Sequence, residues 1–202
     1  MDAGAVTTPQ EILDALDGVS LILDADLTVT ALGRRNWQRF WCLNGGQGAP
    51  QDPLGCDITG FFTEGEVRDT FRLLFQKVLC GDRGVVRLDY RCDAPNVRRL
   101  MRLTLTPMGA PGTARRLLYQ SILLSEAPRP PVPVIDDARV VRDGAAGATR
   151  LCPLCCNIWA PRPCDRELDW VPPPEGGRDT AVPEVVHEFC PRCALGLFDQ
   201  RD

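Results

Sequence analysis

The sequence predicts an α+β body built on an antiparallel sheet, followed by a small module held together by cysteines. Three observations carry that expectation. Residues 66–79 keep an apolar helical interval, 86–106 alternate apolar and polar side chains, and two Cys-x-x-Cys pairs lie beyond a Pro/Gly-rich stretch. With 202 residues, 44% hydrophobic and 25% charged, the chain is long enough for one ordinary domain and a small appendage.

The elements follow in order. In "TTPQEILDAL" Thr8 can cap a helix, Pro9 suits its first turn and Glu11 closes a capping box. "VSLILDADLTVTAL" reads as two strands joined at Asp24-Ala25-Asp26. These aspartates suit a turn, where a short carboxylate bonds its own backbone, better than a catalytic pair. "RRNWQRFWCLNGG" has a helical pattern with Trp37, Phe40 and Trp41 on one face, a stripe expected to be core. "DITGFF" suits a helical turn. The clearest helix follows, with a capping box at Thr63 and Glu66, apolar Val67, Phe71, Phe75, Val78 and Leu79, and Gly81 as its stop.

Three strands close the body. Val86, Leu88, Tyr90 and Cys92 alternate with Arg87, Asp89 and Arg91; Met101, Leu103 and Leu105 alternate with Arg102, Thr104 and Thr106; "RRLLYQSILLSE" supplies the last strand. Strict alternation means one buried and one wet face, as antiparallel sheets show. Cys42, Cys56, Cys80 and Cys92 are scattered without metal spacing and are expected to act as small buried hydrophobes.

The net charge of −4 argues against general nucleic-acid binding, yet it hides a pattern. Residues 1–33 hold six acidic groups and no Lys or Arg, whereas 83–116 hold eight Arg against Asp89 and Asp93. Such blocks form a partner surface or face each other after folding, and the second is the plainer expectation. No apolar run of about 18 residues exists to span a membrane. The opening "MDAGAVTTPQE" lacks the basic start and apolar core of a secretory signal. The expected compartment is therefore the cytoplasm, where clustered thiols favour metal or redox roles over disulfides.

The expected domain boundaries are 1–126 for the body, 127–150 for a spacer containing Pro128, Pro130, Pro131 and Pro133, and 151–202 for the module. In the module, Cys152-Pro-Leu-Cys155 and Cys190-Pro-Arg-Cys193 repeat one design. Two intervening residues let a tight turn aim both sulfurs at one centre, and two turns complete a tetrahedron of thiolates at about 2.3 Å, which suits zinc. The 34 residues between the pairs exceed the usual spacing of about 15–20, but they are rich enough in Pro and Gly to loop out. A segment of this size needs such a staple, since zinc supplies roughly 10–16 kcal/mol to zinc-finger peptides. His187, three residues before Cys190, is expected to support a thiolate by hydrogen bonding or to be structural, with direct ligation as the alternative. Cys156 and Cys164 are spare thiols.

The order helix, two strands, several helices, three strands resembles the PAS fold, a five-stranded antiparallel sheet with helices on one face. "NWQRFWCLNGG", "RCDAPNVRRLMRLTLTPM" and the closing strand are similar to a bacterial family of small PAS-like proteins with a cysteine-rich tail. The tail resembles a module with Cys-x-x-Cys, a Trp, and His-x-x-Cys-Pro-x-Cys. Cys152, Cys155, Trp170, His187, Cys190 and Cys193 fall on those places, while Cys156 and the Pro-rich insertion depart from it. The resemblance implies a sensory or adaptor protein of bacterial signalling with a small zinc-ribbon-like C-terminal module. It names no ligand for the body: His187 lies too far downstream to ligate haem there, which leaves cysteine ligation open, and "LGCDITGFF" lacks the Asn of the flavin-photoadduct pattern.

No kinase core, receiver domain or helix-turn-helix is visible, so output through a protein partner or a homodimer is expected. The alternatives are a redox or oxygen sensor, using an iron–sulfur cluster or a zinc/dithiol switch, and a nucleic-acid-binding regulator. No Ser/His/Asp grouping or phosphate loop suggests an enzyme.

Overall fold

Thr8 caps the first helix as its sequence dictates. In this computed structural model, which describes residues 8–43, 46, 48–62, 65–110, 115–135, 148–162, 164, 167–176 and 184–198, α1 spans Pro9–Ala15. The Thr8 hydroxyl accepts from the Glu11 amide, and the Glu11 carboxylate accepts from the Thr8 amide at 2.7 Å. Strands β1 (Val19–Asp24) and β2 (Val29–Leu32) pair antiparallel. Their turn is built by Asp24, whose Oδ1 accepts from the amides of Asp26 and Thr28 at 3.0 and 2.9 Å. Both aspartates thus belong to the turn.

Helix α2 (Arg34–Leu43) departs from expectation, for none of its residues is fully buried. Trp37 and Phe40 stack at 6.3 Å, Trp37 meets Phe61 edge-on, and the Trp37 indole donates to Gln51 O at 3.0 Å. The stripe lies along the following loop and the 3-10 turn Ile58–Phe61. An indole with a polar N–H to satisfy is at home on such a rim. Helix α3 (Glu66–Leu79) keeps its pattern, with Val67, Phe71, Leu74, Phe75, Val78 and Leu79 buried. The expected cap at Thr63 lies outside the described residues.

Strands β3 (Val86–Arg91), β4 (Val97–Met108) and β5 (Arg116–Pro128) join β1 and β2 in one five-stranded antiparallel sheet, ordered β2-β1-β5-β4-β3. Register pairs Val19 with Ser121, Leu21 with Tyr119 and Leu23 with Leu117, so these six side chains share one face. Phe75 of α3 meets Tyr119 edge-on with centroids 6.3 Å apart, placing α3 on that face. Gly18, just before β1, has φ of 70°, and a Cβ there would stand 2.2 Å from the Ser121 carbonyl oxygen. Only glycine permits that approach.

A second sheet, ordered β8-β7-β6-β9, combines β6 (Thr149–Leu151), β7 (Ile158–Pro161), β8 (Leu168–Val171) and β9 (Val185–His187); α4 (Pro191–Phe198) follows. The chain divides into two compact units along lines different from the expected boundaries at 126 and 150. One comprises Met1–Phe61, Phe75–Arg87 and Leu103–Ile122, the other Phe62–Leu74, Leu88–Arg102 and Leu123–Asp202.

The second unit has its own apolar cluster of Val132, Ile135, Leu151, Cys156, Ile158 and Val185. Two of these come from the stretch expected to be spacer. Residues 129–135 are packed because polar groups hold them. The Arg129 amide donates to Asn96 O at 3.0 Å and the Val132 amide to Pro95 O at 2.7 Å. The Arg129 guanidinium reaches Asp93 at 3.0 Å, with side chains only 5% and 1% exposed. Asp93 also accepts two bonds from the Arg91 guanidinium and one from the Arg99 amide. Removing one partner of a buried pair typically costs about 3–5 kcal/mol, because the other charge stays dehydrated. Because Asp93 keeps its bonds from Arg91 and from the Arg99 amide, Arg129→Ala should cost less, lowering the urea-denaturation free energy by about 1.5–3 kcal/mol, the usual worth of a hydrogen bond to a charged group. Arg102→Ala, which breaks the half-exposed pair with Asp89, should cost less than about 1 kcal/mol in the same measurement.

Candidate metal centre

Strand pairing brings the two cysteine turns together. β6 and β9 run parallel, with Thr149 opposite Val185, Arg150 opposite Val186 and Leu151 opposite His187. Their C-terminal ends therefore emerge side by side, and Glu188 continues the ladder by donating to Leu151 O at 3.1 Å. Cys152 leaves β6, Cys190 precedes α4, and Cys193 stands in the first turn of that helix.

Backbone bonds shape each turn. The Cys152 amide donates to Asn157 O at 2.8 Å and the Cys156 amide to Cys152 O at 2.9 Å, while Cys156 takes φ of 59° to close the loop. In the second turn the Ala194 amide donates to Cys190 O at 2.9 Å and the Cys193 amide to the Cys190 Sγ at 3.4 Å. The result joins sulfurs from opposite ends of the module: Cys152, Cys155, Cys190 and Cys193 place their Sγ atoms all within 4.8 Å of one another. Cys155 and Cys190 approach to 3.8 Å. A tetrahedron of thiolates at about 2.3 Å from its centre has an edge of about 3.8 Å, so the donor set fits a single four-coordinate ion. A disulfide, by contrast, needs about 2.05 Å. Four cysteines this close could bind a metal ion.

Electrostatics describe what the sulfurs do without a cation. S–H donation from Cys155 and Cys193, aided by the Cys190 and Cys155 amides, draws the Cys152 thiol down to about 2. The same sharing pushes Cys155 up to about 12 and Cys193 upward as well, because a second thiolate would face the first. A divalent cation bound there would replace those shared protons.

The remaining candidates separate cleanly. His187 ends β9, half-buried, and the four-sulfur group contains no histidine nitrogen. Cys156 turns away into the apolar cluster, and burial pushes its thiol up to about 12. Cys164 is exposed. The expectation that Cys42, Cys56, Cys80 and Cys92 are buried is not met: Cys42 and Cys80 are exposed, and Cys56 and Cys92 half-buried. Trp170 faces Trp159 across β7 and β8, with ring centroids 5.9 Å apart.

Arginines of the basic stretch that lie in the second unit pair with carboxylates of that unit. Arg91 pairs with Asp93, Arg98 with Glu175, Arg99 with Glu126 and Arg102 with Asp89. Hydrogen bonding from Arg102 holds the Asp89 carboxyl below the usual carboxylate range. The carboxylates in these pairs are Asp89 and Asp93 of the basic stretch itself, together with Glu126 and Glu175, rather than the acidic groups of residues 1–33. Sequence reading missed Asp93 and Arg129 as a pair. The available signal was an arginine enclosed by Pro128 and Pro130, with apolar Val132 and Ile135 following in a polar stretch.

No family model matches the chain, and no curated protein does. Among solved structures, the Vibrio cholerae VqmA dimer in the absence of target DNA, presented as insight into the DNA-binding mechanisms of LuxR-type receptors, has a TM-score of 0.37 and 13% identity. The overlap covers 82% of this chain and 61% of that one, less than two thirds of its length. A likeness at that level carries no argument about fold or function.

Metal uptake at this site has a definite pH sign. Ligation requires thiolates, so protons leave as the ion enters and apparent affinity rises with pH. Competition with a chromophoric chelator across the neutral range should show tighter zinc binding at the alkaline end. Cys190→Ser should weaken it at every pH, and circular dichroism should show loss of the small sheet in that variant.

Proposed function

We propose that this chain is a cytoplasmic PAS-type sensory or adaptor protein of bacterial signalling that acts through protein–protein contacts. Its four-cysteine centre, in this reading, holds a structural zinc ion. The observation that carries the metal assignment is the convergence of Cys152, Cys155, Cys190 and Cys193 within 4.8 Å. The mutual closeness of all four Sγ atoms, within 4.8 Å, favours one ion over an iron–sulfur cluster, whose several irons and inner sulfides hold cysteines on different irons further apart.

The PAS assignment rests on the sequence resemblance. A five-stranded antiparallel sheet, with two helices and a 3-10 turn between its second and third strands, supports it. A partner or a second copy is the proposed route of output. The pairing of Arg91, Arg98, Arg99 and Arg102 with carboxylates weighs against nucleic acid as that partner. Among the described residues no helix is long and apolar enough to cross a membrane.

Metal analysis and an absorption spectrum of anaerobically purified protein test the centre. One zinc per chain and a colourless solution are expected, whereas iron with visible absorption would replace the zinc assignment. Light scattering and affinity capture test the output. A protein that stays monomeric and retains no partner would remove the adaptor reading.

A further inference from the structure

We propose that the four-cysteine centre is a metal-dependent lock on two elements outside the small sheet: the end of β3 and the first half of α3. The inference rests on the metal reading above and concerns how that site acts on the rest of its own unit.

Each Cys-x-x-Cys turn carries one anchor. Leu154 lies between Cys152 and Cys155, and its carbonyl accepts from the Arg91 amide at 2.7 Å. β3 is the outer strand of the five-stranded sheet, and Arg91 is its last residue. The neighbouring Cys92 amide points inward, to Arg99 O at 3.2 Å, so the Arg91 amide points outward. The first cysteine turn therefore takes a position where a further strand would pair.

The second anchor is Phe189, directly before Cys190. It is buried, and its ring centroid lies 6.1 Å from that of Phe71 in α3. Phe71 stacks in turn on Phe62 at 4.4 Å. Both anchors are covalent neighbours of proposed ligands. A bound ion fixes the turns and with them the Leu154 carbonyl and the Phe189 ring. Withdrawing it leaves short turns with no common centre, and both anchors loosen together.

A second tether of the same unit bypasses the sulfurs. Arg129 holds Asp93 in the β3–β4 turn through an ion pair that involves no cysteine. Release on metal loss is thus confined to the end of β3 and the start of α3, while the Arg129 contact persists.

Hydrogen exchange read by mass spectrometry on the full chain tests the lock, comparing protein with one equivalent of zinc against chelator-treated protein. Amides of 66–74 and 88–92 should exchange at least about tenfold faster without metal, whereas those of 19–24 and 117–121 should exchange alike in both states. Phe189→Ala, with zinc content unchanged, should make 66–74 insensitive to metal and leave 88–92 responsive. If zinc binds at one per chain and protects β6 and β9, yet 66–74 and 88–92 do not change, the lock is wrong and the metal reading stands. If no zinc is taken up, both fall.

Discussion

Four thiols crowded around one point are the constraint on which the C-terminal module depends. In water they would repel or oxidise; here the folded chain holds them at a spacing that suits an ion. That spacing is produced by parallel pairing of two three-residue strands, β6 and β9, whose ends release both cysteine turns in the same direction. Strands so short cannot secure their register alone. Pairing aligns the turns, and an ion bound by the sulfurs would in turn hold the pairing.

The body follows a different logic. Its five-stranded sheet is held by apolar side chains that repeat at the strand interval, with Leu21, Leu23, Leu103, Leu105 and Leu117 at 3% exposure or less. Burying such a side chain contributes about 1.5–3 kcal/mol without any ion. The second unit has an apolar cluster too, and adds to it the buried Arg129–Asp93 pair and four converging sulfurs. Three strands and one helix contribute residues to both units, so the chain does not keep these contributions in separate segments.

What could be read from the sequence was whatever has a short period or a local partner. Thr8 and Glu11 are three residues apart, and their capping box forms. Val67, Phe71, Phe75, Val78 and Leu79 repeat at the helical interval and are buried. Cys-x-x-Cys is itself a local motif, which is why all four sulfurs could be named before their convergence was seen. The illegible parts depend on distant partners. Arg129 becomes a structural residue only because Asp93, 36 positions earlier, is buried beside it. Composition alone makes 127–135 a proline spacer, because no local pattern records what Val132 and Ile135 pack against. The aromatic stripe of α2 misleads for a similar reason: periodicity reports that a face is apolar, and not whether a sheet or a loop covers it.

The buried bond between Arg129 and Asp93 has a consequence for how such a chain could be recombined. A gene fusion or deletion that cut at the composition boundary near residue 126 would take the Arg129 guanidinium from a carboxylate that is only 1% exposed, leaving Arg91 as its charged partner. The cysteine module is consequently not a cassette that can be exchanged at its proline-rich border. Whatever is inherited with the β3–β4 turn must bring residues 129–135 along, which ties the evolutionary unit to a seam that composition does not mark.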